Sequence, residues 1–129
     1  MTKKAVQTDA APQPEGGYSQ AVMAGGLVFT SGQAALDPAS GELRGETVAE
    51  QTLLTLDNLD ALLGAVGSSL AAVVKTTAHI ADIATFDEFD AIYRDRMLAP
   101  LPARTTVASG LGLGILVEID VVATLPDQS

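Results

Sequence analysis

Apolar positions at Val48, Thr52, Leu56, Leu59, Leu63 and Val66 recur every three or four residues, which is one face of a helix. Thr47 with Glu50 three residues later matches a capping box, and Gly67 is a natural C-terminal stop. The spacing predicts a helix over 47–66, with polar Glu50, Gln51, Asp57 and Asp60 largely on its other face. A second stripe, Phe86, Phe89, Tyr93 and Met97, follows another capping-box pattern, Thr85-Phe86-Asp87-Glu88, and ends before Pro100 and Pro102. Elsewhere the period is two. Val74, Thr76, Ala78 and Ile80 alternate with Lys75, Thr77, His79 and Ala81. "YSQAVMAGGLVFTSGQ" predicts two strands around a Gly25-Gly26 hairpin turn. "ALDPASGELRGE" reads as a turn-rich loop, and "ARTTVAS" and "ILVEIDVVATL" as two final strands joined by a Gly-rich loop.

The predicted order β-β-α-β-α-β-β implies an α+β domain, one mixed sheet with two helices on one face. The other face is left uncovered. Many of its alternating residues are apolar or small, so an oligomer is the expected cover. A chain of 129 residues is one domain, here 16–125, with an N-terminal arm (1–15, mobile or loosely docked) and a short tail (126–129). The absence of Cys excludes disulfides, thiol catalysis and Cys-based metal sites. It is compatible with a cytoplasmic protein. The N-terminus lacks the apolar core of a secretory signal, and the longest apolar run is too short to span a membrane. A net charge of −9 without a basic patch argues against nucleic-acid and anionic-membrane partners.

Candidate chemistry is sparse. Gly110-x-Gly112-x-Gly114 precedes a strand rather than a helix, which is the wrong context for a phosphate loop. It is a flexible turn or a close backbone approach to a ligand. His79, the only histidine, lacks the companions of a zinc site. Its alternatives are a surface or interface position and a proton shuttle. Glu118 and Asp120 are two apart on a strand and share a face. Arg104 is the only charged residue between Arg96 and Glu118. It either pairs with a carboxylate across strands or offers its planar fork to a ligand carboxylate; left buried without an anion it is too costly. If the last two strands pair antiparallel, Arg104 lies beside Glu118.

The segments "GGYSQAV" (16–22), "TSGQAALDPASGEL" (30–43), "EQTLLTLDNLDALLGAVGSSLAAVVKTT" (50–77), "PARTTV" (102–107) and "VEIDVVA" (117–123), in that order, resemble the reactive intermediate deaminase family over nearly the whole chain. The resemblance implies a chorismate-mutase-like fold. It implies a barrel-centred homotrimer with active sites in clefts between neighbouring chains. It also implies cofactor-free, metal-free hydrolysis of imines and enamines such as 2-aminoacrylate to a 2-oxo acid and ammonia, the chemistry of a 2-iminobutanoate/2-iminopropanoate deaminase. Carried over by motif, Arg104 binds the substrate carboxylate and Glu118 positions water as general base, facing each other across an intersubunit crevice. Tyr18, Ser31, Gly32, Asp90 and Thr106 contact the substrate.

The chain departs from the family pattern at several places. Gly17 replaces a usual Pro, and Thr106 stands where Cys is common. Asp90 aligns with a usual Asn, where a carboxylate competes for Arg104 or repels an anionic substrate. The loop from Ser109 to Gly114 implies a changed pocket rim. Three competing readings remain: a non-catalytic, small-carboxylate-binding or chaperone-like trimer, a pathway-specific relative acting on a larger imine or amide, and RNA cleavage, which the acidic charge disfavours.

Overall fold

The computed structural model describes residues 2–126. Six strands form one sheet: β1 (Lys4–Val6), β2 (Ala21–Ala24), β3 (Leu27–Thr30), β4 (Val73–Ile80), β5 (Ala103–Ala108) and β6 (Val117–Thr124), in the spatial order β1-β2-β3-β6-β4-β5. All pairings are antiparallel except β4 with β5, so the sheet is mixed. Helices α1 (Val48–Gly64) and α2 (Phe86–Arg96) pack on one face. Leu56, Leu59, Leu62 and Leu63 of α1 and Phe89 of α2 meet Val117, Ile119 and Val121 of β6 there, all essentially inaccessible. Burying each such side chain contributes roughly 1.5–3 kcal/mol before entropic costs.

The caps and turns follow local chemistry. Thr47 accepts the Glu50 N–H at 3.1 Å and starts α1. The side chain of Glu88 accepts the neighbouring orphan N–H of Ala49 at 2.9 Å, tying α2 to the start of α1. Gly25 and Gly26 take φ of 60° and 79°, the pair of positive values a two-residue hairpin needs. The second capping box does not form. Asp82 instead accepts the Ala84 N–H at 2.9 Å, and the Thr85 hydroxyl donates to the Asp82 carbonyl. A short 3-10 turn (Ile83–Thr85) therefore precedes α2.

Two further expectations are corrected. The N-terminal arm is docked: β1 pairs with β2, Val6 and Ala11 are buried, and the Gln20 amide donates to the carbonyls of Thr8, Ala11 and Pro12. Gln51 is not on the outer face of α1. It is buried, donates to the carbonyls of Gly45 and Gly114, and accepts from the Leu116 N–H. Of the expected tail, Pro126 lies against Gly67, and 127–129 fall outside the described residues.

Candidate active site

Arg104 projects from edge strand β5 toward α2, on the helix-covered face. Its register partner on β4 is Thr76, fully buried, whose hydroxyl accepts from Tyr93 Oη at 2.9 Å. Burial pushes the Tyr93 phenol above its ordinary pKa, partly offset by that hydrogen bond and by the Arg104 charge. The Arg104 guanidinium lies 4.6, 5.4 and 5.5 Å from the ring centroids of Tyr93, Phe89 and Phe86. That arrangement favours a cation. Nη1 donates to Asp90 Oδ1 at 2.7 Å, with both side chains 19% exposed. The second Asp90 oxygen accepts from Arg94 Nη2 at 3.1 Å. A cleft of about 290 Å³ lined by Asp90, Tyr93, Arg94, Leu101, Pro102 and Arg104 opens here. Thr106, two residues on, shares the Arg104 face and is half-buried.

Glu118 belongs to the opposite, uncovered face, where its register partner is His79. A paired bridge holds it against the loop after β3: Gln33 N–H donates to the Ile119 carbonyl at 2.8 Å, and Ile119 N–H returns the bond at 2.9 Å. This fixes Gly32 beside the Glu118 side chain so closely that a Cβ on Gly32 would stand 2.6 Å from Glu118 Oε2. Among the described residues no hydrogen bond or ion pair engages the Glu118 carboxylate. Tyr18, Ser31, Gly32 and Glu118 line a cleft of about 320 Å³. The Ser31 hydroxyl donates to the Ser19 carbonyl at 2.6 Å, which secures the Tyr18–Ser19 segment at the rim and spends its proton. Tyr18 is half exposed, and its hydroxyl accepts the Glu15 N–H at 3.2 Å. Gly17 has open space on its Cβ side. An adjoining cavity of about 170 Å³ runs from Glu118 and Gly32 under Pro12 and Pro14 to Leu36 and Ile115.

The expected residues thus fall into two groups: Arg104, Asp90 and Thr106 in one, Glu118, Tyr18, Ser31 and Gly32 in the other. The last two strands do not pair, so the condition that would set Arg104 beside Glu118 within one chain is not met. Strand β4 lies between β5 and β6, and along it Thr76 opposes Arg104 while His79, three positions on and so on the other face, opposes Glu118. Arg104 and Glu118 therefore lie on opposite faces of the sheet, and one chain does not bring them together. The glycine run leads into β6 and opens no helix, and its tip, Leu113, is fully exposed. His79 Nδ1 lies 2.8 Å from the Ser109 hydroxyl. Asp120 shares the uncovered face with Lys75, Thr77 and His79, so that face is more polar than expected. Burial raises the Asp120 pKa, partly offset by His79 and Lys75.

The sequence reading missed Arg94 and Gln20. Arg94 stands four residues after Asp90, a helical ion-pair spacing that signals it. Nothing local marks Gln20, whose partners are backbone groups of the arm.

The family model for Endoribonuclease L-PSP matches residues 8–125. The chain is 42% identical over 126 residues to Reactive Intermediate Deaminase A, chloroplastic, of Arabidopsis thaliana, covering 97% of this chain and 67% of that protein. The chain belongs to the reactive intermediate deaminase family. It is 38% identical to the 2-iminobutanoate/2-iminopropanoate deaminase of Rattus norvegicus, covering 95% of this chain and 90% of the relative. The E. coli TdcF structure with bound serine superposes with a TM-score of 0.87 at 33% identity, covering 95% of this chain and 99% of that one. The single mixed sheet with two helices is the fold of this family, and the family match begins inside the expected arm. Among the described residues no helix is long and apolar enough to cross a membrane.

Proposed function

We propose that this protein hydrolyses small imine or enamine acids of the 2-aminoacrylate type to 2-oxo acids and ammonia, at sites assembled between copies of the chain. The observation that carries the reading is the split arrangement. An arginine stacked on three rings opens at an uncovered sheet edge, and an unpaired, half-buried glutamate opens on the opposite face. Among the described residues no strand pairs with the outer edge of β5, and Leu98, Leu101 and Val107 lie exposed at or near it. An unpaired edge with exposed apolar residues is a surface that a second copy covers. The names of the relatives support imine deamination as the general chemistry.

In this reading Arg104 of one copy holds the substrate carboxylate by its free guanidinium edge and fixes the C=N carbon. Glu118 of another copy takes a proton from water as the water oxygen bonds to that carbon. That proton passes to the imine nitrogen to give a carbinolamine, whose hydroxyl proton is then carried to nitrogen by the same carboxylate as the C–N bond breaks, leaving a carbonyl and releasing ammonia. Thr106 and the backbone at Gly32 supply polar contacts, and Tyr18 closes the rim. The cavity beneath Pro14 receives the substrate's side chain. The carboxylate grip serves equally in a protein that only binds small acids, so Glu118 is the residue that separates the two roles. The acidic net charge offers no phosphate track for RNA cleavage.

Mixing tests the assembly. Arg104→Ala and Glu118→Gln each abolish imine turnover, measured by timing 2-oxo acid release from 2-aminoacrylate generated in situ. Unfolding the two variants together and refolding them as mixed assemblies restores activity at about one quarter of the sites, because Arg104 and Glu118 come from different chains of a ring. Zero recovery in verified mixed assemblies sinks the shared site. Turnover unchanged in both single variants sinks the enzymatic reading altogether. Wild-type protein that binds small acids without accelerating 2-oxo acid release, its affinity unchanged in Glu118→Gln, favours the binding protein.

A further inference from the structure

We propose that Asp90 restricts the Arg104 pocket to ligands carrying a single carboxylate and an aliphatic body; this rests on the reading of Arg104 as the carboxylate anchor. Both oxygens of Asp90 are engaged, Oδ1 by Arg104 at 2.7 Å and Oδ2 by Arg94 at 3.1 Å. One anion thus sits between two cations. Among the described residues the lining that this chain supplies contains no other charged side chain, so it carries one net positive charge, and Glu118 of the neighbouring copy adds only further negative charge. One ligand carboxylate neutralises that charge. A second finds no unpaired cation in the lining and is repelled by Asp90, at short range in a partly desolvated cleft where such repulsion is strong.

The remaining walls agree with this assignment. Leu101, Pro102 and the Tyr93 ring give apolar surroundings to the part of the ligand next to its carboxylate. The guanidinium face is covered by rings, with the Tyr93 centroid at 4.6 Å, so a carboxylate approaches in the guanidinium plane. One Nη1 hydrogen is already committed to Asp90, leaving the other edge for a single two-point grip. Asp90 therefore acts on the ligand through Arg104. It is a specificity-determining and positioning residue, and selection arises from a repulsion as much as from an attraction.

The test compares butanoate with succinate, which match in chain length and differ by one carboxylate, by titration calorimetry on the full-length protein at fixed ionic strength. The wild type binds butanoate more tightly. Asp90→Asn shifts the affinity ratio toward succinate by about tenfold or more. Arg94→Gln, on an exposed helix position, shifts the ratio the other way. An unchanged ratio in folded Asp90→Asn overturns the proposal. Should that variant fail to fold, an unchanged ratio in Arg94→Gln overturns it, and so does wild-type protein that binds neither acid. Arg104→Ala abolishes butanoate binding. Butanoate binding that survives Arg104→Ala instead removes the anchor, and with it the proposed function, a result distinct from failure at Asp90 alone.

Discussion

Replacing Gly32 by alanine separates the chemistry of Glu118 from its contribution to stability. The added Cβ stands 2.6 Å from Glu118 Oε2, 2.9 Å from Cδ and 3.0 Å from Cγ. An ordinary contact begins at 3.4 Å, so the carboxylate must retreat by about 0.8 Å. Gly32 is not among the glycines with positive φ, so alanine meets no backbone strain. Tilting the Glu118 side chain off its rotamer costs about 0.5–1.5 kcal/mol. Lower unfolded-state entropy returns about 0.4–1 kcal/mol. Stability therefore changes little, and the melting temperature moves by no more than about 5 °C. Catalysis is far less tolerant, since a displacement near 1 Å costs on the order of 100-fold in rate. The assay is kcat for imine hydrolysis beside a thermal melt on the same preparation. A folded Gly32→Ala protein with wild-type kcat refutes the claim that the position of Glu118 matters to the reaction. A collapse in melting temperature refutes the strain accounting.

Three other outcomes follow from the structure. Tyr93→Phe leaves the fully buried Thr76 hydroxyl without its partner and costs about 1–3 kcal/mol, read by urea denaturation; an unchanged midpoint contradicts the role of that bond. Gln20→Ala strands the carbonyls it serves at Thr8, Ala11 and Pro12, so hydrogen exchange over residues 4–13 accelerates at least about tenfold while α1 stays protected. Burial raises the Asp120 pKa above its unfolded value, so the folded state holds the proton more tightly and stability falls as pH rises from near 3.8 through the folded pKa. Asp120→Asn therefore matches the wild type below that window and exceeds it at pH 7 in melts run against pH; a variant less stable at pH 7 shows that His79 and Lys75 outweigh the burial.

Both helices and the later strands were legible because each carries a period set by one buried face. The stripe from Val48 to Leu63 and the alternation along β4 answer directly to the core. Pairing between strands was not legible. Whether β5 joins β6 or β4 depends on where α2 returns the chain, and no local period records that. The arm's strand was not legible for the same reason: "KAV" is too short to show alternation, and its partners, β2 and the Gln20 amide, lie about fifteen residues further on. Gln51 looked solvent-facing because polarity was taken for exposure, yet a buried amide that serves three backbone groups holds the loop before β6. At Thr85 two caps competed, and Asp82 won because the chain turns tightly before α2. Arg104 was singled out by its isolation among uncharged neighbours, and its need for an anion is met by Asp90.

The separation of Arg104 from Glu118 also constrains how copies associate. A two-fold dimer presents the same patch twice and satisfies both halves only if each chain's arginine edge and glutamate cleft face the partner together. Here the two open on opposite faces of one sheet, with β4 between their strands. A single flat contact cannot engage both at once. The proposed site instead joins the β5 edge of one chain to the Glu118 cleft of the next, a heterologous contact between unlike surfaces. Such contacts either close into a ring or run on as a filament. A closed ring of three, the assembly that the sequence resemblance implies, gives every arginine a glutamate and leaves no unpaired β5 edge. Mass measurement in solution decides the point: a stable monomer or a two-fold dimer with full activity is incompatible with a site shared in this way.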